Sequence, residues 1–209
     1  NQTDWKAYCE SRSVEAEVKA VEKLIEISKK SGAHIHVVHL SSKNGLGLIS
    51  AAKKEGIKIT TETCPHYLYF TQKDFENKSI SNFLKTAPPV KFEEDKEALW
   101  LGLADGSIDY ITTDHAGCDP MLEKMTSNFW NVYGGIPGVQ HKVPFILSEG
   151  FVKGKLSLER AFEVLNPYSY FPIEHKGKIS TGFDSDFALI DLWNTQKLTP
   201  NYCQTCNET

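Results

Sequence analysis

The sequence predicts an α/β fold in which a parallel sheet is covered by helices. Three observations carry this. Helix-like and strand-like segments alternate from Ser13 to Thr113, the strand-like runs are short and rich in β-branched residues, and the chain is large enough for one extensive core. Its 209 residues are 40% hydrophobic and 24% charged, the balance of an ordinary globular domain.

From Ser13 onward, Val14, Val18, Val21 and Ile25 recur at helical spacing, with Glu15 and Glu17 in the first turn and Lys29 and Lys30 in the last. These charges oppose the partial charges of the helix ends, and Gly32 supplies the stop. HIHVVHL, His34 to Leu40, reads as a buried strand. An SSKNG turn leads to a helix from about Leu46 to Glu55, ended by Gly56. IKITTET is the second strand, and a loop then carries CPHYLYF and the turn signal APPV. Glu93 to Asp105 has a helical pattern stopped by Gly106, and Ile108 to Thr113 is the third strand. Three strands do not by themselves distinguish an open sheet from a closed barrel. Beyond Asp114 a long loop contains GGIPG, followed by helices at about Val139 to Gly150 and Ser157 to Leu165. The alternating run within KGKISTGFDSDFALIDL reads as a short β extension, dividing the chain at residue 175 into a main layer, 1–175, and the start of an extension, 176–209.

A formal charge of -4 with acids and bases interspersed leaves no basic stripe for phosphates, so nucleic acid is not an expected partner. The longest apolar runs, such as Val143 to Leu147, are too short to span a bilayer, and a cytoplasmic protein without a membrane partner is expected. Five scattered cysteines do not form the framework of a small secreted domain. Cys203 and Cys206 make a lone CxxC with no second pair to complete a zinc site. The chain opens on Asn1 and stops in NYCQTCNET, so it reads as a piece cut from a longer protein.

In folds of this class, reactive groups gather at the C-terminal ends of the strands. His39 closes HIHVVHL, the second strand is followed by Glu62, Cys64 and His66, and Asp114 with His115 closes IDYITTDH. Strand alternation puts His34 and His36 on one face and His39 on the other. A neutral imidazole and a carboxylate at neighbouring strand ends can share a divalent metal, with the carboxylate also taking a proton from water. His66 or His115 would then supply a third ligand. The same His39 and Asp114 could instead bond backbone and cap the following helices.

HVVHLSS (36–42), ETCPHYL (62–68), KTAPPV (85–90), DYITTDH (109–115), GGIPGVQ (134–140) and KGKISTGFDSDFALID (176–191) follow one another in the order and approximate spacing seen in the dihydroorotase, hydantoinase and allantoinase family of cyclic amidohydrolases, which the chain resembles along nearly its whole length. Within the family DWKAYCESRSVEAEV, CDPMLEK and FWNVYGGIPGVQ are similar to stretches of the allantoinases. The resemblance implies a C-terminal part of a (β/α)8 TIM barrel with two divalent metal ions, zinc expected, bridged by a carboxylated lysine. It implies hydrolysis of a ring amide, allantoin to allantoate, and a homo-oligomeric parent, dimer or tetramer, acting on a small cyclic ureide. His39 would be the metal ligand ending strand six, and Asp114 both ligand and general base ending strand eight. Ala87 and Gly134 match positions where loops present backbone groups to the ring, although a serine is common at the place of Ala87. His66 and His115 would be pocket or supporting residues.

The family's first-strand HxH pair, its carboxylated lysine and its fifth-strand histidine lie upstream of the matched segment, and the pair His34 and His36 is not that HxH motif. The chain alone is therefore expected neither to assemble the metal centre nor to close the barrel. Dihydroorotase or hydantoinase (dihydropyrimidinase) activity is the alternative of the same kind. A non-catalytic structural or signalling relative is the alternative of another kind, against which the retention of both His39 and Asp114 argues.

Overall fold

The structure, a computed structural model, describes residues 2–171 and 173–197. A short helix α1 (Trp5–Glu10) precedes α2 (Val14–Ser31), β1 (Ile35–Val37), α3 (Lys43–Lys54), β2 (Ile59–Thr63), α4 (Pro65–Tyr69), α5 (Glu93–Asp105) and β3 (Tyr110–Ile111). Then come α6 (Pro120–Glu123), α7 (Lys142–Phe145), which runs on as a π-helical segment Ile146–Val152, and α8 (Leu158–Leu165).

The helix boundaries follow from the capping residues. Ser13 accepts from Ala16 N–H to open α2, and Gly32 closes it in the left-handed region at φ 71°. Ser42 opens α3 by accepting from Gly45 N–H. Gly106, at φ 86°, ends α5, because a residue with a side chain is disfavoured there.

The three strands are parallel and stand in sequence order, β1–β2–β3. Ile35 pairs with Ile59 and Val37 with Thr61, while Glu62 pairs with Tyr110 and Thr63 with Ile111. Side chains add cross-links: Thr61 Oγ1 donates to Val37 O at 2.9 Å and Thr63 Oγ1 to Leu40 O at 2.8 Å. Asp109 Oδ2 accepts from Thr61 N–H at 2.7 Å and from Lys53 Nζ at 2.6 Å, fixing the entry of β3.

Helix α3 packs between α2 and α5, and α8 packs on β3. Val21, Ile49, Leu99 and Leu103 of the helices share one buried core with Val37, Ile59 and Ile111 of the strands. Burying each such side chain is worth roughly 1.5–3 kcal/mol, which makes this apolar face the main source of the layer's stability. The α/β reading with alternating helices and strands holds.

Several boundaries differ from expectation. The first strand is Ile35–Val37 rather than His34 to Leu40, because His39 takes a left-handed backbone, φ 41°, that no ladder accepts. The third is Tyr110–Ile111 rather than Ile108 to Thr113. CPHYLYF is not a loop: Pro65 starts α4, where its missing N–H is no loss. Glu62 lies inside β2 rather than after it. The helix expected near Val139 to Gly150 starts at Lys142, with Pro144 in its first turn, and extends through Val152 as a π-helix. The run Phe187 to Asp191 is largely exposed and forms no ladder among the described residues. Cys203 and Cys206 lie outside the described residues.

Candidate active site

His39 and Asp114 occupy equivalent places, each just beyond the C-terminal end of a strand, β1 and β3. Both sit in left-handed backbone, with φ 41° and 45°. For a residue with a side chain this costs on the order of 1–3 kcal/mol and points to a site that requires it. Neither side chain makes a hydrogen bond or ion pair among the described residues. The capping roles they could have taken fall to others: Ser42 caps α3, and Asp119 caps α6 by accepting from Met121 and Leu122 N–H. His39 is half-buried and Asp114 exposed. An imidazole and a carboxylate that make no hydrogen bond among the described residues, at one end of a sheet, are a donor set that suits a divalent cation. Among the described residues no group of three His, Cys, Asp or Glu side chains converges to hold one alone.

Helix α4 lies between these two positions. Asp114 acts electrostatically on Cys64 and Tyr67, and His39 on His66. His66 is 4% exposed and its Nε2 has no hydrogen-bond partner. Burial first, and then the charge of His39, lower its pKa to about 3, so the ring is neutral near pH 7. Burial likewise drives the Cys64 thiol up, which keeps it protonated and unreactive.

The remaining expected residues fall into two groups. His39 and Ala87 share the wall of an apolar concavity of about 380 Å³ with Glu17, Leu40 and Pro88. The segment around exposed Ala87 is held by Tyr8 Oη, donating to Thr86 O at 3.0 Å, and by Tyr67 Oη, donating to Pro88 O at 2.7 Å. His115 belongs with Gly134 instead. Its backbone pairs with Ile136, and its Nδ1 accepts from Gly138 N–H at 3.1 Å, tying the GGIPG loop to the end of β3.

Three supports were not singled out from the sequence. Glu17 reaches from α2 to accept from Ser41 N–H at 3.3 Å, from Ser42 Oγ at 2.6 Å and from the Ser41 hydroxyl, just past Leu40, the residue that follows His39. Lys85 and Lys124 are buried, at 5% and 1% exposure, and both bind loop carbonyls. Nothing in the residues beside Lys85 (Leu84 and Thr86) or Lys124 (Glu123 and Met125) sets the latter pair apart from surface lysines.

On the sheet face opposite the helices, His34 Nε2 and His36 Nδ1 meet at Thr60 Oγ1, at 3.0 and 2.9 Å. His36 Nε2 lies 3.1 Å from Glu62 Oε2, and Thr112 Oγ1 donates to Glu62 Oε1 at 2.6 Å. A carboxylate only accepts, so Nε2 carries a proton toward Glu62. His34 and His36 thus share a face, as alternation predicts. Burial alone would raise the Glu62 pKa, but the His36 and Thr112 hydrogen bonds and the charge of His36 outweigh it and hold the carboxyl below its ordinary value of 4.5. A depressed carboxyl adds stability that is fully present above the ordinary value and is lost as pH falls through the folded value. Glu62→Gln is therefore expected to lower the melting temperature at neutral pH and to flatten its decline below about pH 4.5. Melting curves of both proteins between acid and neutral pH check this; parallel curves would remove Glu62 from the acid response.

No family model matches the chain. In sequence it is similar to the allantoinase of Bacillus licheniformis, 36% identical over 191 residues, which is 90% of this chain and 41% of that protein. The allantoinase of Deinococcus radiodurans is 38% identical over 187 residues, 88% of this chain and 41% of the relative. In structure it is similar to the L-hydantoinase (dihydropyrimidinase) from Arthrobacter aurescens, with a TM-score of 0.82 and 34% identity, covering 88% of this chain and 41% of that one. The D-hydantoinase from Bacillus sp. AR9 also gives a TM-score of 0.82, at 26% identity, covering 89% and 42%. The chain thus spans about two fifths of the length of the curated relatives it matches.

Proposed function

Because the chain belongs to the cyclic amidohydrolase family, whose allantoinases and hydantoinases it matches, we propose that the protein hydrolyses a ring amide C–N bond of a cyclic ureide, with allantoin as substrate and allantoate as product. The three parallel strands are part of the (β/α)8 barrel of that family. Residues 1–175 are proposed as the barrel part and 176–209 as the start of the β extension.

The observation that carries the reading is the pair His39 and Asp114, both in left-handed backbone at strand ends, with side chains that make no hydrogen bond or ion pair among the described residues. His39, as a neutral imidazole, would hold a divalent metal ion, zinc by preference, and Asp114 would be a second protein ligand. A binuclear centre, with a carboxylated lysine as bridge, would take its remaining ligands from elsewhere in the protein. Bound ions would polarise the scissile carbonyl and make water acidic enough to attack near neutral pH. Asp114 accepts the proton that the attacking water loses and delivers it to the departing ring nitrogen, so atoms and charge balance across ring opening. Neutral His66, buried behind His39, does not compete for that proton, and His115 steadies the loop that bears Gly134. Exposed Ala87 and Gly134 offer backbone groups to the polar ring. A cytoplasmic homo-oligomer completes the proposal.

The test is to express the full-length reading frame, measure metal per chain, and assay ring opening of allantoin beside dihydroorotate and hydantoin. Close to two metal ions per chain with allantoin preferred supports the reading. A preference for hydantoin would instead follow the structural likeness to the hydantoinases, and a folded protein without metal or turnover would be a non-catalytic relative.

A further inference from the structure

The loop Phe129–Gly135 is organised around two buried ammonium groups. Lys85 Nζ donates to the carbonyls of Phe129, Trp130 and Val132 at 2.8, 2.9 and 2.7 Å, which uses all three of its protons. Lys124 Nζ donates to the carbonyls of Tyr133 and Gly135 at 2.8 and 2.9 Å. Aromatic rings close over the charges, with Tyr8 4.8 Å and Phe129 5.5 Å from Lys85 Nζ, and Tyr133 5.7 Å from Lys124 Nζ. A buried ammonium is costly unless every proton is bonded, so each lysine is bound to this loop geometry.

With the carbonyls turned inward, the amides can be accounted for one by one. Trp130 N–H donates to Asn128 Oδ1 at 3.0 Å. Val132, Tyr133 and Gly135 N–H donate to Phe129, Glu123 and Lys85 carbonyls, at 3.3, 2.9 and 2.8 Å. Gly134 is exposed, and its N–H makes no hydrogen bond among the described residues. The loop continues into the segment bonded to His115, next to Asp114. Lys85 also stands two residues before Ala87, which lines the concavity beside His39, so one side chain joins the Ala87 segment to the loop that bears Gly134.

We propose that Lys85 and Lys124 are positioning residues for the reaction: they lock Phe129–Gly135 as a rigid wall so that the free Gly134 N–H has a fixed aim at a carbonyl oxygen of the substrate ring. The proposal rests on the cyclic-ureide reading. A fixed donor lowers the ordering needed on binding, and its effect falls on substrate affinity more than on bond breaking.

The experiment uses the full-length protein and two independent readouts. Amide hydrogen exchange of the wild type is expected to show Val132, Tyr133 and Gly135 protected and Gly134 exchanging fast. In Lys85→Met and Lys124→Met, exchange across the loop is expected to accelerate by about tenfold or more, as the loss of charged hydrogen bonds dictates. In the same variants KM for allantoin is expected to rise about tenfold, short of the roughly 100-fold that a full ångström of misplacement costs, with kcat within about twofold and metal content unchanged. Unchanged loop exchange and unchanged KM in both variants overturn the proposal, as does an equal fall in kcat and metal content, which marks general destabilisation. Should a variant fail to fold, the wild-type pattern decides, since unprotected Val132, Tyr133 and Gly135 amides overturn the locked loop. Absence of ring opening by the wild-type protein overturns the cyclic-ureide reading and the substrate half of this proposal, while exchange still decides the locking half.

Discussion

Asp114→Asn in the full-length protein is expected to lower kcat for ring opening by about 10²- to 10⁴-fold, the contribution of a general base that also completes a ligand set. The fold should not register the change. The Asp114 side chain is exposed and makes no hydrogen bond or ion pair among the described residues, and its backbone lies at φ 45°, a region that asparagine tolerates as well as aspartate. An exposed substitution of this kind alters stability by within about 0.5 kcal/mol. The check pairs steady-state kinetics with a thermal melt of wild type and variant. Wild-type turnover by a folded Asp114→Asn protein would remove Asp114 from the chemistry.

Glu17→Gln is expected to weaken metal retention roughly 10- to 100-fold, as loss of a supporting hydrogen bond behind a ligand does. The carboxylate accepts from Ser41 N–H and from both serine hydroxyls, so it fixes the two residues that follow Leu40 and, through Ser42, the start of α3. His39 is held between β1 and this clamp. An amide keeps the shape but gives up the charge and turns a donor toward a hydroxyl, losing on the order of 1.5–3 kcal/mol for a charged hydrogen bond. Competition of the bound metal against a chelator, run with a melt, separates the two roles. A lower melting temperature with unaltered metal affinity would leave Glu17 as a helix clamp and nothing more.

The long helices were legible because their signals are local. Ser13, Gly32 and Gly106 mark ends that the structure reproduces, and the apolar spacing between them is regular. The strand-end residues were legible too, since β-branched runs followed by His39 or Asp114 define where a parallel sheet opens. What the sequence concealed depends on partners far along the chain. Glu17 carries the same local signal as Glu15, a negative charge in a first turn, yet one of the two clamps Ser41 and Ser42. Lys85 and Lys124 resemble surface lysines until the loop folds over them. The left-handed turns at His39 and Asp114 shortened two strands, because neither residue is the glycine that would have announced such a turn. The alternating run Phe187–Asp191 shows the converse: alternation states which face a strand would bury, and it forms a ladder only where a neighbour exists.

The sequence-ordered parallel sheet bears on how the protein is made. With β1, β2 and β3 adjacent in that order, each strand leaving the ribosome finds its docking edge already synthesised, on the strand just before it. Synthesis at roughly 5–20 residues per second leaves seconds between successive strands, long compared with the submicrosecond to microsecond formation of a helix. Each connecting helix can therefore form before the next strand arrives, and the pairing of β1 with β2 and of β2 with β3 needs no later segment of the chain.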